Sequence, residues 1–316
     1  MKIPFISTLF SSKSSNGGWF ALDIDASGVH CAQIQFTGAM PKVVCCEYHQ
    51  TGAITAEVLE KLSREASFAN SQLTNLLQFG EYQILMVEAP VVPADELKTA
   101  IRWKIKDGLS FHVDDATVDV LQIPKYGAER VQSLYAVAAD NKTIQKCVAL
   151  FERAKLALSV IDIRETAQRN IAALFERDDF AVVLLTFDDN GGLLTFTAGG
   201  ELYLARRIEI SANQLSDANE EIRLQSHNRV ELELRRSLDY FDRQYNHLPI
   251  NQVLVCAPAQ SGLVGFLSSM GDVRVEPLNL AQVMDISDVP MLNDSEFLID
   301  ALPVIGAALR QERRAL

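Results

Sequence analysis

Two stretches of the chain share one order of apolar runs and short polar breaks. The first reads WFALDID, ASG, VHCAQIQF, TGAMP and KVVCCEYHQ, and the second reads FAVVLLTF, DDNGG, LLTFTA, GG and ELYLARRIEI. Links this short join antiparallel strands, because a parallel pair needs a crossover of a dozen or more residues. The pattern therefore predicts two three-stranded meanders and indicates a duplicated lobe.

Helices and further strands are predicted after each meander. Apolar residues at helical spacing predict a helix after Pro93, a long amphipathic helix over 230–245 and a closing helix over 298–309. The segment 55–77 is interpreted as one helix, whereas YQILMVEAPVV and NQVLVCAP are interpreted as strands. Together these elements predict an α/β protein of two lobes with mixed sheets.

The composition of the chain argues against several classes of function. The chain has 316 residues, 48% of them hydrophobic, and a formal net charge of -12, which opposes non-specific binding to nucleic acid. Its five cysteines are scattered without a CxxC pair, which indicates a reducing compartment and favours neither a disulfide framework nor a zinc site. No apolar stretch approaches the roughly 20 residues that span a bilayer, so we expect no transmembrane segment.

Several common catalytic patterns are missing from the sequence. No Gly-rich stretch is followed by Gly-Lys-Ser/Thr, no histidines have HxxxH or HExxH spacing, and Gly-x-Ser-x-Gly is absent. We therefore predict no catalytic residue and no metal site. The segment 1–17 is predicted to be a flexible leader, and the alternative is that its apolar residues contact a membrane or a partner.

Three motifs in order along the chain carry a resemblance to a known family. They are VVPADELKTAIRWKIKDGLSFH, VELELRRSLDYFDRQYNHLP and DALPVIGAALRQ. They resemble the Pro-acidic-Glu-Leu-Ala-Ile-Arg-Trp segment, the Glu-x-x-Arg-Ser-Leu-Asp-aromatic helix and the closing Ala-x-Gly-x-Ala-Leu-Arg of PilM-type pilus assembly proteins. The resemblance covers Gly18 to Arg310, and the chain looks most like the members that serve mannose-sensitive haemagglutinin (MSHA) pilus systems.

The resemblance implies the two-lobed actin-like ATPase fold, with an inserted α/β subdomain in the first lobe. The implied units are a leader 1–17, a first-lobe core 18–86 and 158–178, an inserted subdomain 87–157, a second lobe 179–296 and a closing helix 297–316 that packs on the first lobe.

The resemblance also implies a cytoplasmic scaffold that reaches the inner membrane through a partner. PilM-type proteins hold the N-terminal cytoplasmic tail of a PilN-like membrane protein in a groove beside the inserted subdomain, and coupling to the pilus motor ATPase is implied as well. We predict this groove beside the helix 94–106. Its predicted anchors, for which core packing is the alternative, are Leu97, Ile101, Trp103 and Phe111.

ATP with Mg²⁺ is the cofactor that the family implies, and the first nucleotide segment is altered here. The family's Asp-Ile-Gly-Ser-Ser-Ser-Val-Lys corresponds to Asp23–His30. Asp23 is retained, and Ser27 and Gly28 still offer donors. However, Asp25 replaces a glycine, and a carboxylate beside phosphate costs about 4 kcal/mol per charge pair at 4 Å.

The other two segments depart as well. The family's Asp-Ile-Gly-Ala-Glu-Thr-Thr corresponds to 186–192, where Thr186 and Asp188 replace its aspartate and glycine, and a plain hairpin turn is the alternative. Ala257 and Pro258 replace a Gly-Gly turn, and proline has no N–H. We therefore predict a non-enzymatic adaptor with a degenerate site. The alternatives are an ATP-binding conformational switch, a sugar-kinase-like enzyme and a GspL-like secretion scaffold.

Overall fold

The computed structural model describes residues 19–36, 38, 40–66, 68, 71–125 and 132–311, and the predicted leader 1–17 lies outside them. The strands are β1 (Phe20–Ile24), β2 (Gly28–Gln35), β3 (Lys42–Gln50), β4 (Leu73–Leu76), β5 (Tyr82–Glu88), β6 (Ala116–Gln122), β7 (Ser133–Asp140), β8 (Leu158–Asp162), β9 (Ala181–Asp188), β10 (Gly191–Ala198), β11 (Glu201–Ile208), β12 (Ile250–Cys256) and β13 (Val275–Pro277).

The α-helices lie between and after these strands. They are α1 (Ala56–Glu65), α2 (Leu97–Ile105), α3 (Asn141–Arg153), α4 (Arg164–Ala172), α5 (Ala212–Leu215), α6 (Glu220–Gln244), α7 (Leu263–Ser268) and α8 (Ser295–Ala308). Among the helices of the described segments, none combines the length and the apolar character that crossing a bilayer requires.

Two five-stranded sheets have the same topology. Their strand orders are β3-β2-β1-β4-β8 and β11-β10-β9-β12-β13. Each contains an antiparallel meander followed by two strands that run parallel to the first strand of that meander. The two predicted meanders are therefore present, and each forms three strands of a five-stranded sheet.

The predicted helix over 55–77 is wrong in its second half. The helix α1 ends at Glu65, and Leu73–Leu76 forms β4 between β1 and β8. All four residues of β4 are buried, because a central parallel strand is covered on both faces. A short apolar run of this kind has no alternation, so the sequence pattern does not separate it from a helical segment.

A third sheet, of order β5-β7-β6, forms the inserted subdomain. The strand β5 pairs with β7 along its whole length, from Tyr82 opposite Ala139 to Glu88 opposite Ser133. The predicted boundary between 86 and 87 therefore falls inside β5, and the inserted sheet begins at Tyr82. The position of this boundary depends on strand pairing, which local sequence does not specify.

The closing helix α8 packs on α4 and on the first-lobe sheet. Gly306 lies against α4 so closely that an added Cβ would stand 2.2 Å from the backbone oxygen of Ala167. Asn170 Nδ2 donates to the Gly306 oxygen at 2.9 Å. Beyond the helix, Arg310 Nη1 lies 2.7 Å from Asp162 Oδ2, and both side chains are buried. These contacts fix α8 to α4 and Arg310 to the end of β8.

We expect Gly306→Ala to lower the free energy of unfolding by about 2 kcal/mol, because overpacking at a close helix contact exceeds the gain in helix propensity. Urea denaturation measures this change. Gly265→Ala in α7 is the matched control, since no atom lies within 4 Å of its added Cβ. Gly265→Ala should leave the free energy of unfolding unchanged or raise it slightly. A Gly306→Ala protein as stable as the wild type would contradict the close packing of Gly306 on α4.

Candidate functional site

The turn between β1 and β2 is closed by its own carboxylate. Asp25 Oδ1 accepts hydrogen bonds from the backbone N–H groups of Ser27 and Gly28, at 2.6 and 2.9 Å, and from Ser27 Oγ at 2.6 Å. Burial raises the pKa of Asp25, but these hydrogen bonds outweigh it and hold the pKa below its usual value. The N–H groups that a bound phosphate would require are therefore already bonded to an anion of the protein.

The turn between β9 and β10 faces the first one and is held in the same way. Asp188 Oδ1 accepts from the backbone N–H of Asn190 at 2.7 Å, and Asp189 Oδ1 accepts from Asn213 Nδ2 at 2.7 Å. Thr186 Oγ1 donates to Gln168 Oε1 at 2.7 Å. The polar groups of this turn are thus used for contacts within the protein.

Arg164 joins the two turns. Its Nη2 lies 3.0 Å from Asp23 Oδ2, and its Nη1 lies 3.7 Å from Asp188 Oδ2. Nη2 also donates to Gln78 Oε1 at 2.8 Å, and the guanidinium lies 5.2 Å from the centre of the Phe79 ring. Only 8% of the Arg164 side chain is exposed. One buried cation therefore links the first strand of each lobe.

The pKa shifts in this cluster agree with its geometry. Burial lowers the pKa of Arg164, but the nearby Asp23 and Asp188 carboxylates outweigh burial and raise it above the usual value. Burial raises the pKa of Asp188 more than Arg164 lowers it. Arg164 is therefore held in its charged form, whereas burial makes the ionised form of Asp188 less favourable.

Gln168 connects α4 to the second-lobe sheet. Its Nε2 donates to the backbone oxygens of Leu184 and Leu193 at 2.8 and 3.0 Å, and it lies 3.0 Å from Thr195 Oγ1. Arg164 and Gln168 are four residues apart, so they lie on one face of the helix. The helix α4 therefore joins the two lobes, and α8 contacts strands of both sheets as well.

The sequence patterns did not identify Arg164 or Gln168 as site residues. The one local signal is that a cation stands at the first position of α4, where the helix dipole favours an anion. Such a residue is retained at a helix start when carboxylates outside the helix compensate, as Asp23 and Asp188 do here.

The residues present at this cleft do not fit Mg²⁺ and ATP. Asp23 is the residue that resembles the metal-facing aspartate of the family, and both of its oxygens are bonded, Oδ2 to Arg164 and Oδ1 to Gln78. The cavity beside Arg164, Thr186 and Asp188 has a volume of about 30 Å³. That is room for about one water molecule, whereas ligand sites are typically 300–1,000 Å³.

A wider cavity of about 720 Å³ opens next to the first turn, but its lining is acidic. It is bordered by Asp25, Ser27, Glu47, Asp189 and Asp300, and by no lysine or arginine of the described segments. Burial raises the pKa of Asp300, and the negative charges of Asp188 and Asp189 add to this effect, outweighing the proximity of His30. A triphosphate would be repelled here.

The third predicted segment follows Cys256, which pairs with Thr186 and lines the cavity beside Arg164. Ala257 and Pro258 line a separate cavity of about 390 Å³ together with Asn279 and Ser295. The Pro258 oxygen accepts from Ser261 Oγ at 2.6 Å, which closes a short turn after β12. The structure therefore brings the positions of the first two segments together, and the third segment begins next to Thr186 while Ala257 and Pro258 line the neighbouring cavity.

The predicted partner residues divide into core and surface. Ile101 is fully buried against Leu134 and Ala136, so its prediction as a groove anchor is wrong for this structure. Leu97 and Phe111 are partly buried against the same cluster. Trp103, in contrast, is 59% exposed. The reason is helical spacing: Ile101 and Ile105 face the sheet, and Trp103 lies on the opposite side of α2.

Further exposed apolar residues lie near Trp103 along the chain. We name the set of Val91, Val92 and Trp103 the subdomain patch, and all three are exposed. It spans the loop after β5 and α2. Met86 is exposed as well, but it lies between Leu85 and Val87, which pack against α2, so it projects to the opposite face of the sheet, where its sulfur lies 3.9 Å from the Tyr240 hydroxyl. Lys104 Nζ donates to the Glu88 oxygen at 2.8 Å, which holds the last turn of α2 beside the end of β5.

Comparison with known proteins identifies the fold. No family model matches the chain, and no curated protein matches it. A chain of the PilM-PilN type IV pilus biogenesis complex is similar in structure, with a TM-score of 0.71 and 17% identity over 95% of this chain and 100% of that one. The cytoplasmic domain of EpsL from the Vibrio cholerae type II secretion system gives a TM-score of 0.48 and 13% identity, over 84% of this chain and 91% of that domain.

The chain therefore has a PilM-like, actin-like ATPase fold, and the predicted fold class is confirmed. A Bacteroides thetaiotaomicron protein of actin-like ATPase fold and unknown function is also similar, with a TM-score of 0.48 and 9% identity over 93% of this chain and 99% of that one.

We expect Arg164→Met to lower the free energy of unfolding by about 3–5 kcal/mol, because Asp23 and Asp188 would remain buried without their counter-charge. Chemical denaturation measures this change. Arg236→Met is the matched control, since Arg236 is 60% exposed and pairs with Glu233 on the surface of α6. Arg236→Met should lower the free energy of unfolding by about 0–1 kcal/mol. Equal effects of the two substitutions would contradict the role given to Arg164.

The stability contributed by Asp25 should depend on pH. Its folded-state pKa is lowered, so the contribution is fully present above the unfolded value of about 3.9 and is lost as the pH falls through the folded value. Asp25→Ala should therefore lower the Tm at pH 7, with a difference from wild type that shrinks below about pH 4. Thermal melts of both proteins and of the control Asp178→Ala, at an exposed position, test this. A pH-independent difference would contradict it.

Proposed function

We propose that this chain is a cytoplasmic adaptor of a type IV pilus assembly machine. It binds the N-terminal cytoplasmic tail of a PilN-like inner-membrane protein and lies at the membrane through that partner. The observation that carries the proposal is the subdomain patch, in which Trp103 presents 59% of its surface to solvent. Tryptophan is the residue type most often found at the energetic centre of an interface.

Fold similarity supports the choice of machine. The PilM-PilN type IV pilus biogenesis complex contains a chain that this protein matches over 95% of its own length. The three sequence motifs favour an MSHA-type system and, within it, a protein of the MshI kind. Coupling to the pilus motor ATPase belongs to the same proposal.

The cleft supports an adaptor that works without nucleotide. Arg164 links Asp23 to Asp188, and the Asp25 carboxylate takes the N–H groups of the first turn. Both turns are therefore complete without a phosphate. We propose a pseudo-ATPase in which the lobes are held by contacts of the chain itself and the subdomain patch is the working surface.

The tail that fits this surface is an extended or helical segment with apolar anchors. The patch offers side chains of valine and tryptophan, which bind apolar groups through burial of area rather than through charge pairing. Lys104 is bonded to the Glu88 oxygen and lies 3.9 Å from its carboxylate, so this lysine is already engaged beside the patch. We therefore expect affinity that changes little with ionic strength.

We expect a synthetic peptide of the PilN-like tail to bind the nucleotide-free protein, and Trp103→Ala to weaken this binding by about 30-fold or more, the loss typical of a central tryptophan. Calorimetric titration of protein stripped of bound nucleotide measures both. Met291→Ala is the control, because Met291 is 60% exposed but lies outside the subdomain patch, and the affinity should not change.

The same titration with Mg-ATP present separates the alternatives. Equal affinity with and without Mg-ATP supports the adaptor. Binding that occurs only with Mg-ATP would overturn nucleotide independence and favour the conformational switch. Absence of binding in both conditions, or a Trp103→Ala protein that binds as well as the wild type, would overturn the assignment of the patch.

A further inference from the structure

Two cysteines and a glutamate converge on one face of the β2–β3 ladder, on the side away from α8. The Sγ atoms of Cys31 and Cys45 and a carboxylate oxygen of Glu47 all lie within 4.8 Å of one another. Cys31 is buried, Cys45 is half-buried and Glu47 is exposed, so the group runs from the core to the surface. None of the three lies in the cavity beside Arg164 or in the subdomain patch, although Glu47 also borders the wide cavity next to the first turn.

Strand register explains the convergence. Cys31 stands directly opposite Glu47, and Cys45 stands opposite Gln33, two positions along the ladder. Side chains alternate between the two faces of a strand, so all three project to the same face, whereas Cys46 projects to the other and packs in the core beneath α8. The three groups are therefore neighbours although they come from two strands and lie as far as 16 positions apart in sequence.

The diagonal position of the two cysteines disfavours a disulfide. Diagonal neighbours across an antiparallel pair are about 7–8 Å apart, whereas the Cα atoms of a disulfide are usually about 4.4–6.8 Å apart. An ion between the sulfurs has no such restriction, because each ligand is about 2.3 Å from the metal and the two sulfurs stay well separated.

We propose that Cys31, Cys45 and Glu47 form a binding site for a thiophilic divalent cation of the zinc class. Two thiolates and one carboxylate are ligands that Zn²⁺ accepts, and a fourth position remains for water. Each thiol releases its proton to solvent as the ion binds, so binding strengthens with rising pH. Around a tetrahedral ion the ligand atoms would be roughly 3.5–4 Å apart, so only a small inward movement is required.

The surroundings of Glu47 fit this role. His49 Nε2 lies 3.1 Å from Glu47 Oε2, so the imidazole is a neighbour of the carboxylate on the same face of β3. Within the described segments, no lysine or arginine forms an ion pair with Glu47. The ion would join the edge strand β3 to β2 and so stabilise the outer part of the first-lobe sheet.

Cobalt titration of the fully reduced full-length protein tests the site, because Co²⁺ bound by thiolate gives a charge-transfer band in the near ultraviolet. We expect one equivalent to give this band, Zn²⁺ to displace it and the Tm to rise with either ion. Cys45→Ser should abolish the band, and Glu47→Gln should weaken Co²⁺ binding by about 10-fold or more, because loss of even a residue that only supports a ligand costs about that much. Cys45 is half-buried, so its substitution should leave the fold intact, which circular dichroism verifies.

Cys46→Ser is the matched control, because this neighbour projects to the opposite face of β3. The charge-transfer band and the Co²⁺ affinity of the Cys46→Ser protein should equal those of the wild type. A band that survives Cys45→Ser, a band that Cys46→Ser removes, or no band at excess Co²⁺ would each overturn the proposed site.

Discussion

The arrangement of the two lobes depends on one buried cation. Arg164 lies between Asp23 of the first lobe and Asp188 of the second, and removing a guanidinium from water is tolerated only because these carboxylates and Gln78 surround it. One turn further along α4, Gln168 bonds the backbone of the second-lobe sheet. The helix that begins with the cation therefore also joins the lobes.

This constraint changes what the fold can be used for. An actin-like fold ordinarily offers two turns to an anion, but here Asp25 supplies an anion to the first turn and Arg164 neutralises the aspartates behind both. A closed cleft stabilised by the chain itself is consistent with a scaffold. In the proposed adaptor, the surface that binds the partner lies on the inserted subdomain, where Trp103 is exposed.

The edge of the first-lobe sheet presents a second cluster that the cleft does not require. The strand β3 is at the edge of this sheet, and on its outer side it pairs with Asp285 near Lys42 and Val43, so its regular ladder is the one with β2. The proposed cation at Cys31, Cys45 and Glu47 would supplement that pairing at a position where the β2–β3 register also shifts, between Gln33 and Ile34. Stability of the first lobe and loading of this site would then be linked.

The sequence by itself determined the α/β class, the two meanders and the helix after Pro93, because alternation and helical spacing are local properties of the chain. It did not determine β4, since a four-residue buried strand carries no alternation, nor the boundary inside β5, which pairing with β7 sets. The candidate site was predicted in part: Asp23, Asp25 and Asp188 follow from the motifs, whereas Arg164 does not. Arg164 meets Asp23 across 141 positions of the chain, and Cys31 meets Cys45 only through the ladder register. Contacts between residues so distant in sequence depend on strand order and on how the helices pack, and these form only when the whole chain folds.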